Sequence, residues 1–308
     1  MPGASNPIWP MRSLLLAAVL AAPAVAVAQP TWRAVPQGGL SVDVLKTVPD
    51  QSAMIADLDG NTIGEADASA FHSALVLSTR LPVTRSVAFA VEIPFAFTNY
   101  DESALATDPA TVQLQKTTQA GFGNPYLGID MATKSGLRAG IGGRLPIFTV
   151  YGEGADTRGG FSETTWAAAN AEQSEAFTPF AYSVAGHLGV DRAVTEAIGV
   201  RAEVAPVYIG STQTYTTVDG EQTPSAFVTR YGAQLTVRAA RLHLGGGVVG
   251  RETMDDPYGL SVGSSTSAIA SAVYAGNQFR PGLTVRVPFR GDMTDGAVVG
   301  LSLDVPLR

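Results

Sequence analysis

The chain has 308 residues and no cysteine, with 45% apolar residues, 15% charged residues, 33 glycines and 19 prolines. That composition excludes a coiled coil and a charge-driven disordered chain. The missing cysteine excludes a disulfide framework, a cysteine zinc site, an iron–sulfur cluster and a thiol nucleophile together. Twenty Lys and Arg against 27 Asp and Glu leave a net charge of −7, which argues against nucleic acid as a partner.

Met11-Arg12 precede an apolar run from Leu14 to Val27 that ends in Ala26-Val27-Ala28. A positive start, a short apolar stretch and a small-x-small end predict a cleaved signal peptide over 1–28, with Gln29-Pro30 opening the mature chain. The run is too short for a spanning helix. Translation starts at Met1 or at Met11, since residues 1–10 do not resemble a signal start. The remainder, 29–308, is expected to form one exported domain.

No long apolar run follows. Instead, segments of about ten residues alternate in character, the pattern of outer-membrane strands. From Val87 to Phe97, one face carries Val87, Phe89, Val91, Ile93, Phe95 and Phe97, and the other Ala88, Ala90, Glu92, Pro94 and Ala96. Period two places these sets on opposite sides of a strand. The same parity sets Phe227, Tyr231, Leu235 and Val237 against Arg230, Gln234 and Arg238. It sets Leu283, Val285, Val287 and Phe289 against Arg280, Thr284, Arg286 and Arg290. In the last segment Val299, Leu301, Leu303, Val305 and Leu307 oppose Gly300, Ser302 and Asp304. The pattern predicts strands over 38–47, 69–81, 86–97, 124–133, 136–149, 177–190, 197–210, 226–238, 241–251, 266–276, 279–290 and 296–307. About twelve strands, an even number, suit a single antiparallel transmembrane β-barrel with both termini on one side.

Connection lengths support the same fold. Short turns near 82–85, 134–135, 191–196, 239–240 and 277–278 alternate with longer segments 48–68, 98–123, 150–176, 211–225 and 252–265. Outer-membrane barrels pair short periplasmic turns with long external loops in this way. The final link, 291–295, is short where a long one is due. Phe95, Phe97, Phe180, Tyr208, Phe227 and Phe289 fall near the external ends, where rings favour the interface, and Phe279 marks the opposite rim. Glu92-Ile93-Pro94-Phe95, Arg144-Leu145-Pro146-Ile147, Arg286-Val287-Pro288-Phe289 and Asp304-Val305-Pro306-Leu307 repeat the form charge–apolar–Pro–apolar. Because proline lacks a ladder donor, the repeat is expected at strand ends or bulges, with charge and proline facing inward. Gly245-Gly246-Gly247 reads as a place of curvature or a bulge within a strand.

Twenty of the 27 acidic residues fall in the six expected external connections, among them Asp57, Asp59, Asp101, Asp156, Glu175, Asp219, Asp255, Asp256 and Asp292. Arginine sits instead on the polar strand face, at positions including Arg138, Arg144, Arg201, Arg230, Arg238, Arg241, Arg251, Arg280, Arg286 and Arg290. Glu92, Asp191, Glu203 and Asp304 are the expected inward partners. An Arg facing lipid at the midplane costs about 2–4 kcal/mol, so this face belongs inside. The expected lumen-lining set is Arg138, Arg144, Arg201, Arg230, Gln234, Arg238, Arg280, Arg286, Glu92, Glu203 and Asp304. Two readings stand: a basic constriction that draws anions or polar groups of a solute, or an Arg–carboxylate network bracing a filled lumen.

Signals for chemistry are few. His72-Ser73 in a strand suggests a barrel hydrolase only with an orienting acid or amide beside it, and no phosphate loop or His-Glu-x-x-His occurs. No enzyme activity and no cofactor are expected. Asp57, Asp59 and Asn61 have oxygen-ligand spacing without the Gly and Glu of an EF-hand. They read as a turn-rich acidic loop or as a loose surface calcium site linking loops to lipopolysaccharide.

Gly121-Phe122-Gly123-Asn124-Pro125-Tyr126-Leu127-Gly128 resembles the Gly-Leu-Gly-Asp-Pro-x-Leu-Gly segment of the MetA-pathway phenol-degradation family of outer-membrane proteins, and the preceding Ile93-Pro94-Phe95 is similar too. Asn124 stands where that segment has Asp, and Phe122 where it has Leu. The resemblance, over about residues 86–131, implies an outer-membrane channel linked to uptake of aromatic or other hydrophobic compounds. Gly300, Leu303 and Val305 fit the C-terminal signal for the barrel-assembly machinery, while the chain closes on Leu307-Arg308 rather than an aromatic. The expected function is passive or gated passage of a small solute through an Arg-lined lumen in the Gram-negative outer membrane. A non-conducting surface or scaffold barrel is the alternative, and a barrel hydrolase the third reading. Expected partners are outer-membrane lipid, lipopolysaccharide, the assembly machinery and the solute.

Overall fold

The computed structural model describes residues 39–48, 52–56, 62–106, 115–152, 174–217, 220–256, 263–291 and 297–306. The expected signal peptide and the calcium-candidate positions 57, 59 and 61 lie outside them. In chain order the strands are β1 (Gly39–Val48), β2 (Ser52–Ala56), β3 (Thr62–Pro82), β4 (Val87–Ala106), β5 (Gln115–Phe122), β6 (Tyr126–Ala132), β7 (Leu137–Arg144) and β8 (Thr149–Gly152). They continue as β9 (Ala181–Ala193), β10 (Ile198–Ser211), β11 (Tyr215–Thr217), β12 (Gly220–Gln222), β13 (Ser225–Ala239), β14 (Leu242–Asp255), β15 (Ser265–Tyr274), β16 (Arg280–Gly291) and β17 (Ala297–Pro306). One 3-10 turn, Ser174–Ala176, precedes β9.

The main sheet closes on itself. Its fifteen strands resolve into twelve antiparallel staves, because β5 and β8 continue β6 and β7 after a break and β2 only extends β3 beyond the ring. The ring runs β1–β3–β4–β6–β7–β9–β10–β13–β14–β15–β16–β17 and returns to β1, where Gly39 pairs with Pro306 and Val48 with Ala297. Hydrocarbon offers no water to an unpaired backbone, so a spanning sheet must close in this way. The chain is an all-β, single antiparallel transmembrane barrel.

Alternation decides what each face meets. Leu127, Ile129, Met131, Ile141, Val184, Leu188, Val204, Leu235, Leu283 and Leu301 are exposed on the outer surface, where lipid covers them. Their strand neighbours are small, polar or charged and mostly buried inside. Phe97, Tyr208, Phe227, Phe279 and Phe289 are exposed on the outer face as well. Two equivalent turns close the short-loop end. In Val83-Thr84-Arg85-Ser86, the Thr84 hydroxyl accepts from the Ser86 and Val87 amides, and Val83 N–H donates to the Val87 carbonyl. In Val194-Thr195-Glu196-Ala197, Thr195 accepts from the Ala197 and Ile198 amides, and Val194 donates to Ile198.

The structure departs from the sequence reading in four places. β3 has 21 residues and β4 has 20, well past the roughly 9–11 that span a bilayer. Parts of 48–68 and 98–123 therefore continue the wall as paired strand, and 211–225 carries the small β11–β12 hairpin. Pro94 lies inside β4 rather than at its end, facing the break between β5 and β6, where its carbonyl accepts from Gly123 N–H. The ladders pass through Gly245–Gly247 without a shift, so no bulge lies there. The shifts fall at Phe227/Val228 and Thr266/Ser267, the latter beside Pro288. Phe180 stays at the external end, where its carbonyl accepts from Thr212, but it is half-buried at φ 54° in the chain reversal before β9 rather than an exposed strand aromatic.

Val204 faces lipid midway along β10. Val204→Arg is expected to lower unfolding stability in vesicles by about 2–4 kcal/mol, while Val194→Arg in the short turn leaves it nearly unchanged. Equal denaturant midpoints for the two variants would contradict the assigned faces.

Candidate functional site

The inner face carries a charged patch spread over β3, β4, β6, β7, β9, β10 and β13. Inward parity on these strands presents Arg80, Glu92, Tyr126, Asp130, Arg144, His187, Glu203 and Arg230. Together with Glu175, Ser183, Ala185 and Ala205 they line a small cavity of about 20 Å³, room for roughly one water molecule. Glycine makes room for the larger groups. A Cβ at Gly128 or Gly142 would run into the Tyr126 ring, and one at Gly140 into the His187 imidazole.

Glu175 belongs to no stave. It sits on the 3-10 turn Ser174–Ala176 shortly before β9, inside the barrel, and it is 4% exposed. Its Oε1 accepts from Arg230 Nη1 at 3.1 Å and lies 3.7 Å from Arg144 Nε. Arg144 also donates from Nη2 to Glu92 Oε2 at 3.0 Å and from Nη1 to the Asn124 carbonyl at 2.9 Å. Its guanidinium carbon stands 5.6 Å from the centre of the Tyr126 ring. All four charged residues of this cluster are buried. Buried charges persist only when paired and hydrogen-bonded, and here two carboxylates neutralise two guanidiniums.

Asn124 holds the turn in place. It occupies the break between β5 and β6, and its Nδ2 donates to the carbonyls of Glu175, Thr178 and Ala181 at 3.0, 2.8 and 3.1 Å. Its Oδ1 accepts from Phe148 N–H at 3.0 Å in the neighbouring break between β7 and β8, and its own N–H donates to the Ala176 carbonyl. A side-chain amide can donate on one atom and accept on the other, whereas a carboxylate accepts only. That asymmetry accounts for Asn rather than Asp at this position. Gly123 lets the turn approach, since a Cβ there would meet the Ala176 carbonyl. Phe177 is fully buried in an apolar cluster with Ala74, Ala96 and Ala176, against Phe148 and Val298. A second apolar patch, Ala181, Ala185, Val207, Ile209, Ala226 and Val228, covers the inner face of β9, β10 and β13 beside it.

Towards the short turns a second set of pairs follows. Arg80 Nε donates to Asp130 Oδ2 at 2.7 Å, and Asp130 Oδ1 lies 3.6 Å from His187 Nε2. Arg138 Nη2 donates to Asp191 Oδ2 at 2.7 Å. Of the other residues expected inside, Arg201 and Gln234 are buried opposite each other on β10 and β13, and Glu203 is half-buried in the cavity wall. Arg286 is buried between Ile269 and Val298. Arg280 donates to the Gly276 carbonyl and pairs across the ladder with Asp304, while Arg238 is exposed at the short-turn end opposite His243.

Glu175 corrects one expectation outright: it reads as an external loop acid and is buried inside. Arg80, Tyr126 and Asp130 join the inward set beyond the residues expected there, and parity marks each of them. Arg80 follows Ala74, Val76 and Ser78, and Tyr126 and Asp130 alternate with Leu127, Ile129 and Met131. No group of three or more metal-ligating residues occurs among the described residues. At Ser73, β3 runs unbroken opposite Phe97. Consecutive residues of a strand point to opposite faces, so adjacency there does not set a nucleophile beside a base.

No family model matches the chain, and no curated protein matches it in sequence. Its fold is similar to that of an outer-membrane channel from Pseudomonas putida F1, at 10% identity and TM-score 0.51, covering 92% of this chain and 100% of that one. LpxR from Salmonella typhimurium aligns over 87% of this chain and 100% of that one at 13% identity and TM-score 0.45. The CymD monoaromatic hydrocarbon channel aligns over 88% and 89% at 11% identity and TM-score 0.41. The architecture is that of outer-membrane β-barrels.

Arg144→Met is expected to cost about 3–5 kcal/mol of stability, because it leaves Glu92 and Glu175 buried without their shared cation. Asn124→Ala should cost about 2–6 kcal/mol, at roughly 0.5–1.5 kcal/mol for each of the four lost hydrogen bonds. Asn124→Asp should cost at least as much at neutral pH, since it sets a carboxylate against three carbonyls. Chemical denaturation in detergent checks all three; an Asn124→Asp variant as stable as the parent would refute the donor role.

Proposed function

We propose that this protein is an outer-membrane channel through which a small solute passes by gated diffusion, along an inner face lined by arginine. The observation that carries this reading is the chemistry of that face. Arg144, Arg201, Arg230, Arg251 and Arg286 are buried within a closed barrel whose outer surface is apolar. Such a barrel keeps these fixed charges where a hydrated path would run. The fold shared with an outer-membrane channel supports the same reading. The site then includes Arg138, Arg144, Arg201, Arg230, Gln234, Arg238, Arg280, Arg286, Glu92, Glu203 and Asp304, with the turn at Glu175 as the gate.

The likeness of the 121–128 segment to the MetA-pathway phenol-degradation family suggests a solute with an aromatic or hydrophobic body. The apolar patch on β9, β10 and β13 would accept one. The outer surface would contact outer-membrane lipid and lipopolysaccharide after export through the signal peptide and insertion by the assembly machinery. A closed scaffold barrel is the second reading. It is favoured by the paired state of Arg80, Arg138, Arg144 and Arg230, each of which has a carboxylate in reach.

Planar-bilayer recording separates the two. The channel reading expects discrete steps with a reversal potential showing anion preference under a salt gradient. Arg201→Glu with Arg238→Glu, which leaves the Glu175 cluster intact, should move that potential towards cations. Silence from correctly folded, heat-modifiable protein supports the scaffold, and an unchanged reversal potential in the double variant removes the arginine-lined path.

A further inference from the structure

Glu175 differs from every other charged member of its cluster in how it is held. Glu92, Arg144 and Arg230 are fixed to β4, β7 and β13, each hydrogen-bonded into the ladder on both sides. Glu175 is carried by a three-residue turn on a connection. If that turn withdraws, Arg144 keeps Glu92 but Arg230 loses its hydrogen-bonded carboxylate. The two guanidiniums with Glu92 then carry a net positive charge in a low-dielectric surround, with Glu203 a further acid of the cavity wall. Such a site calls for a single negative group with oxygen acceptors. Arg230 is already short of acceptors: its Nε is buried without a hydrogen-bond partner. Next to the pair, on the same inner faces, lie the apolar side chains of Ala185, Val207, Ala226 and Val228. On the other side of Arg144 lies the Tyr126 ring.

We infer that Arg144 and Arg230 form a binding site for the carboxylate of a small amphiphilic monocarboxylate, and that Glu175 is a tethered stand-in for that carboxylate. The solute's head exchanges with Glu175 on the two arginines while its apolar body rests against the Ala185–Val228 patch. Exchange releases the turn from the charged cluster, so binding and opening are one event. This deepens the channel reading and rests on it for its transport consequence. The binding site itself can be tested without conductance.

The test is isothermal titration calorimetry of the full-length protein in detergent. The probes are butyrate, its neutral isostere butyramide and inorganic phosphate, with folding of each variant checked by heat-modifiable gel mobility. Glu175→Gln removes the competing charge, so it should bind butyrate at least tenfold more tightly than the parent, with butyramide showing no such gain. Glu175→Ala should behave likewise, and Arg230→Gln added to Glu175→Gln should abolish the gain. In bilayers, butyrate should raise the open probability of the parent and leave that of Glu175→Gln unchanged.

Equal butyrate affinity in the parent and both Glu175 variants would overturn the stand-in role. Phosphate binding more tightly than butyrate, or butyramide binding as well as butyrate, would overturn the carboxylate assignment. Tightened butyrate binding in a protein that never conducts would uphold the site and remove the channel reading, so the two failures are distinguishable.

Discussion

Every amide and carbonyl of a strand in hydrocarbon must find its partner within the protein. From this constraint the rest follows. It forces β17 back onto β1, so the sheet has no free edge in the membrane. It also divides each strand into a face that lipid must accept and a face that it never touches. Hydrophobic side chains on the first face are exposed by any ordinary measure, which inverts the usual soluble arrangement. The second face is free to hold what lipid excludes, and it holds arginine, glutamate and glycine.

Charge placed there cannot relax into water at will, so its members are matched. Arg144 is the clearest case, with Glu92, Glu175 and the Asn124 carbonyl each taking a different nitrogen. The arrangement joins three kinds of structure: strands that fix the arginines, a broken stave that supplies Asn124, and a connection that supplies Glu175. The same break lets Gly123 and Phe148 meet the turn. A gap in the ladder is costly in a membrane wall, and here Asn124 N–H is satisfied by the turn while Gly123, Leu145 and Phe148 N–H find Pro94, Pro125 and Asn124 in the wall itself.

Much of the barrel is legible in the sequence because its two determinants are local. Strict alternation, as in Val87 to Phe97, assigns the face of each residue without any knowledge of its neighbours. Turn chemistry such as that of Thr84 and Thr195 marks where strands end. All twelve staves fall where alternation puts them, and so do the buried Arg144, Arg201, Arg230 and Arg286. What alternation cannot show is a fold-back. Glu175 lies in an acidic, irregular stretch, and nothing periodic there tells inside from outside. Its place is set by Asn124, 51 residues earlier in the chain, and by Arg230, 55 residues later. The breaks at 123–125 and 145–148 are hidden for the same reason, since each exists to receive that distant turn. The continuation of β3 and β4 past the bilayer reflects pairing between two polar segments, which carry no lipid-facing stripe to announce it.

The clasp on the inner turn has a consequence for how the molecule is made. Asn124, Gly123, Arg144 and Arg230 belong to β4–β13, which are synthesised and can pair with one another well before β17 arrives. The seam between β1 and β17 is the last joint available to the chain. The partners of the inner turn therefore lie wholly on strands that can pair before the seam closes. Assembly then has a natural checkpoint: a sheet whose buried arginines have not yet met Glu175 would close around unpaired charge, and that product is the one the energetics disfavour.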